Sequence, residues 1–114
     1  MTRVKWHFVC ALGIALAAVP AQAQMQAATN ADQDMMAGME KMNRGMAAAP
    51  MTGNADHDFV AMMIPHHQGA VDMAQAELRF GKDPALRRLA TDIVAAQNKE
   101  IAFMRRWQAT HPAQ

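Results

Sequence analysis

Between Met62 and Ala74 the chain reads "MMIPHHQGAVDMA", two adjacent histidines set among methionines with a proline just before them. Imidazole and thioether share one chemical property, a lone pair that a soft metal ion accepts. Metal binding is the chemistry those residue types offer, and helix packing is its rival. Thioethers are neutral and need no deprotonation, so a mixed set of methionine and histidine favours Cu(I), with Ag(I) as a surrogate, over Mg²⁺, Ca²⁺ or Zn²⁺. A ligating imidazole must be neutral, so affinity should weaken as pH falls through the histidine range.

On a helix advancing 100° per residue, Phe59, Met62, His66, Ala70, Met73 and Glu77 share one broad face, with Met63 on its flank. His67 is turned about 100° from His66, so an unbroken helix aims only one ring at a given small ion, and the other takes a supporting or separate role. Further donors lie outside the motif. Met35, Met39, Met42 and Met46 stand at i, i+4, i+7 and i+11, the spacing of one helical stripe, and Met104 follows Gln97 and Glu100 on a third segment. Gln97 and Glu100 either mark a partly wet face or orient a histidine, because a bound imidazole usually donates its second N–H to a carboxylate or carbonyl. The candidate metal ligands are therefore His66, His67, Met62, Met63, Met73, Met104, Met35, Met39, Met42 and Met46. Each has a plain alternative. A methionine stripe fills irregular core space, and a histidine pair also serves hydrogen bonding or solvent. His57 and His111 stand in polar, terminal settings and read as surface residues, and Trp107 reads as packing.

The elements that must position these groups are helices. A first helix is expected from about Ala31 to Ala47, preceded by a loose "QMQAATN" terminus and followed by a Pro50/Gly53 connection. A second should begin with Asn54 or Asp56 as its cap and end at Phe80, with Pro65 kinking or breaking it. Asp83 and Pro84 then open a third helix reaching about Thr110. No segment alternates as a strand would, so the fold is all-α, a small antiparallel helical bundle of three main helices. Counting outward from the turns sets His66 level with about Asn98, Met39 with Met63, and Met35 with His67, so that three helices meet at one height.

The first 23 residues read differently. Arg3 and Lys5 precede an apolar run, Phe8 to Val19, that ends in "AQA" at Ala23, the pattern of an export signal. The expected organisation is a signal peptide over 1–23, a Met-rich helix and linker over 24–53, and a helical hairpin over 54–114. Cleavage would remove Cys10, the single cysteine, and with it any disulfide or thiolate site. It would also leave nine basic against ten acidic side chains, no basic patch for nucleic acid, and no membrane segment. Eleven of the 12 methionines follow Ala23, where branched aliphatics are sparse. A chain of roughly 90 residues has a slim margin of stability without a bound ion or a partner.

The stretch "DHDFVAMMIPHHQGAVDMA", followed by "LRRLATDIVAAQNKEIAFMRRW", resembles the bacterial family named domain of unknown function 305. The similar positions are Asp56, Phe59, Met63, His66, His67, Gly69, Ala70 and Met73, then Gln97, Glu100, Met104 and Trp107. The resemblance implies a ferritin-like bundle, export to the periplasm or beyond, and copper binding linked to copper tolerance. With one copy of the motif and only a short helix before it, this chain is expected to form a three-helix unit completed by a short N-terminal segment or by a second chain. The expected function is buffering or transfer of Cu(I), with another periplasmic copper protein as partner. A di-iron enzyme is disfavoured, because Glu77 and Glu100 are the only glutamates after Gly53 and neither precedes a histidine by three. The competing class is an interaction module that uses a plastic methionine surface without metal.

Overall fold

The computed structural model describes residues 19–113, which form three helices: α1 (Ala21–Ala47), α2 (Ala55–Phe80) and α3 (Pro84–Thr110). No strand occurs among the described residues. The charged start and most of the apolar run of the expected signal peptide, with Cys10, lie outside them. No helix among the described residues is long and apolar enough to cross a membrane.

Two helix starts follow the expected capping chemistry. Asn54 accepts from the backbone N–H groups of Asp56 and His57 at 3.0 and 3.3 Å, and Asp83 accepts from those of Ala85 and Leu86 at 2.9 Å, with Pro84 in the first turn. Three expectations are corrected. The first helix begins at Ala21, about ten residues early, because "AQAQMQAATN" is rich in good helix formers and contains no glycine or proline. Its residues are exposed on every side up to Asn30, which is why no apolar periodicity announced it. Secondly, of the two outcomes expected at Pro65 the break does not occur, since α2 runs through it as one helix. The ring is received by a glycine of α1: a Cβ placed on Gly45 would come within 2.7 Å of Pro65 Cβ.

The third correction is the register of α1. Gly38 lies against Asp72, Met42 against Gly69 and Gly45 against Pro65, so the helices are antiparallel but α1 ends level with the third turn of α2. The connection instead folds back toward α2, where Asp58 accepts from the Thr52 N–H at 2.7 Å, the Thr52 hydroxyl at 2.9 Å and the Gly53 N–H at 3.1 Å. Those donors, the Thr52 amide first, hold the Asp58 carboxyl below the usual carboxylate range. Equal counting from Met51 ignored this return, and Met35 consequently lies beside Met73 and Ala74, two turns beyond His67.

The three helices form a single layer with α2 in the middle. No Cα of α1 comes within 8 Å of α3. On α2 the residues that meet α1 (Pro65, Gly69) and those that meet α3 (Val60, His67) lie roughly half a turn apart, so the two neighbours flank α2. The buried cluster sits on the α3 side, where Val60, Ile101 and Met104 pack with Met63, Ile64 and Trp107.

Candidate metal centre

The centre of interest is the seam between α2 and α3. There His67 is buried at 7% exposure, and its Nε2 lies 2.5 Å from Glu100 Oε2. In the tautomer whose Nε2–H donates to the carboxylate, the ring lone pair is on Nδ1. That nitrogen is buried and has no hydrogen-bond partner, and neither does Gln97 Oε1, one turn before Glu100 on α3. An unsatisfied buried polar atom costs about 1–3 kcal/mol, so each of these two calls for a partner such as a water or an ion. Met63 precedes His67 by one helical turn and Met104 follows Glu100 by one turn, and the two methionines share the buried cluster. The seam therefore offers one imidazole nitrogen paired through its ring with a carboxylate and, one helical turn away on each helix, a thioether, which are donor types that suit a soft ion.

His66 is exposed, its ring centroid 6.0 Å from that of His67 and tilted 59° to it. The two rings do face different ways, and it is His67, not His66 as the outward count implied, that meets α3. The α2–α3 register agrees with the outward count from Lys82, since Gln97, Glu100 and Met104 are the neighbours.

The remaining methionines are distributed elsewhere. Met42 covers Gly69, where an added Cβ would meet its Cβ and Sδ at 2.7 Å. Gly69 and His67 are 200° apart on α2, so α1 does not bring its sulfur to the His67 pocket as the equal-height count implied. Met35 and Met73 line an open groove with Ala70, Leu86, Leu89 and Ile93. Met39 lies at the outer edge of α1, 39% exposed, and Met46 and Met62 are half-buried. Among the described residues no three of histidine, cysteine, aspartate and glutamate gather closely enough to hold an ion by themselves.

Sequence reasoning missed two features. Gly38, Gly45 and Gly69 are the contact points of α1 on α2, a role their scattered spacing did not reveal. His57 and His111 are not independent surface residues. Both rings pack on Trp107, at 5.0 and 4.5 Å between centroids, and His111 Nδ1 lies 2.9 Å from the Trp107 carbonyl oxygen.

The family described as domain of unknown function (DUF305) matches residues 13–108. The chain belongs to that family. It is also similar to uncharacterized protein L153 of Acanthamoeba polyphaga mimivirus, with 41% identity over 49 residues, 43% of this chain and 32% of the viral protein. The matched segment is thus about a third of that relative's length.

Proposed function

We propose that the chain is an exported copper-binding protein that buffers or transfers Cu(I) in copper tolerance. The observation that carries this reading is the buried His67 ring, held at Nε2 by Glu100 and left with an unpartnered Nδ1, one helical turn along α2 from Met63, which packs against the cluster that contains Met104. His67 is the anchoring nitrogen, Met63 and Met104 the nearest soft donors, and Glu100 the residue that fixes the ring. His66, Met62 and Met73, with Met35, Met39, Met42 and Met46 of α1, are secondary capture positions. The centre binds rather than catalyses, and the ion reaches it from, or leaves it to, another exported copper protein. A ferritin-like architecture is the parent fold on this reading, with three of its helices supplied by one chain.

Export is part of the proposal and has its own test: the protein recovered from the periplasmic fraction should begin at Gln24 by N-terminal sequencing. Metal binding is tested by thermal melts with and without Ag(I), since a ligand of the native state raises the midpoint. An unchanged midpoint at saturating Ag(I) would favour the second reading, a metal-free interaction module. That reading draws its support from the open groove lined by Met35, Met73, Leu86 and Leu89.

A further inference from the structure

The layer has two unlike faces. One carries polar groups: Lys41 pairs with Asp72 at 3.0 Å and Arg79 with Asp34 at 2.6 Å between α1 and α2, and Gln68 donates to Asp72 at 3.1 Å within α2. The other carries the groove of about 350 Å³ and is apolar along its length. Stepping 100° per residue from the contact points puts Phe59, Met62, His66 and Met73 of α2 on that face, with Leu86, Leu89, Ile93 and Phe103 of α3. Exposure bears this out: Phe59 60%, Met73 39%, Leu86 53%, Leu89 54% and Phe103 62%.

The size of this surface decides what covers it. Taking about 200 Å² for a fully exposed large side chain, those five residues alone present roughly 500 Å². The half-buried Met62, Met35 and Ile93 and the exposed His66 extend the patch. A monomer's largest apolar patch is about 300–600 Å² in all, whereas each partner of a stable complex buries about 800 Å². Along α2 and α3 the charged residues of the face are Glu77, Glu100 and, at its rim, Asp92, too few to forbid its meeting an identical surface.

We propose that this face is covered by the same face of a second copy of the chain, in a twofold, self-complementary interface. Two three-helix layers stacked in this way bury the apolar side of each and leave both polar sides to water. The interface also encloses His66 with Met62 and Met73, donors that one copy alone leaves at its surface, so each copy completes the surroundings of the other's. The pairing requires no metal and stands or falls apart from the copper reading.

Sedimentation of the purified exported protein in metal-free buffer tests the proposal. The expected result is a dimer at about 100 μM that dissociates on dilution. Leu89→Glu and Phe103→Glu should each give a monomer with unchanged helical circular dichroism, whereas Asn98→Glu, on the opposite side of α3, should leave the dimer intact. A wild-type monomer at that concentration overturns the proposal, and so does a monomer that instead binds lipid vesicles. A Leu89→Glu, Phe103→Glu double variant that folds and still dimerises overturns it equally.

Discussion

α2 makes two seams, and they are built on different principles. Against α1 it offers Gly69 and Pro65 to Met42 and Gly45, so backbones approach where side chains are missing, and exposed ion pairs line the edge. Against α3 it buries Val60, Ile101 and Met104 and the His67–Glu100 pair. The first seam is held by shape and the second by removing apolar surface from water. Only the second also contains buried polar atoms without partners, so chemistry and core coincide there, while α1 contributes methionines at a distance.

Substitutions should separate the seams by size of effect. Ile101→Ala removes buried apolar atoms from the α2–α3 cluster and should cost about 2–4 kcal/mol in urea denaturation. A loss under about 1 kcal/mol would mean that the seam is looser than its burial implies. Gly45→Ala should lower stability by about 1–2 kcal/mol, because the new Cβ would crowd the rigid Pro65 ring. In an open helix the same change raises stability by about 0.5–1 kcal/mol, so the sign of the shift is the readout. Glu100→Ala strands a second nitrogen of His67 and should cost about 1 kcal/mol, with Glu100→Gln recovering part of it, by the same measurement. Lys41→Ala breaks an ion pair whose lysine is 61% exposed and should change stability by less than about 0.5 kcal/mol.

Acid provides a further distinction, confined to the α1–α2 connection. The Asp58 carboxyl titrates below its unfolded value, so its clamp on Thr52 and Gly53 is fully present above the unfolded carboxylate pKa of about 3.9 and is lost as pH falls through the folded one. Thermal midpoints recorded from pH 7 to pH 3 should therefore fall less steeply for Asp58→Asn than for the wild type. Parallel curves would remove the clamp from the account.

The helices of the hairpin were legible because their signals are local. Asn54, Asp83 and Pro84 mark starts by side-chain capping, and the tight turn at Gly81–Asp83 fixed the α2–α3 register closely enough to name Gln97, Glu100 and Met104. The α1 register was not legible. It depends on Asp58 drawing the connection back and on glycines meeting Pro65 and Asp72, contacts between residues far apart in sequence. The histidine assignment was half legible for a related reason. A 100° offset showed that only one ring could face a given neighbour, but which ring did so depended on where α3 packed.

The central claim is that the α2–α3 seam, and not the methionine stripe of α1, holds the principal metal centre. Competition of Cu(I) between the protein and a chromogenic chelator tests it most directly, comparing wild type, His67→Ala, the Met63→Leu, Met104→Leu double variant and Met42→Leu. The account predicts at least a tenfold loss of affinity for the first two variants, about 1.4 kcal/mol or more, and no change for Met42→Leu. Wild-type affinity in His67→Ala, with a loss in Met42→Leu, would contradict it.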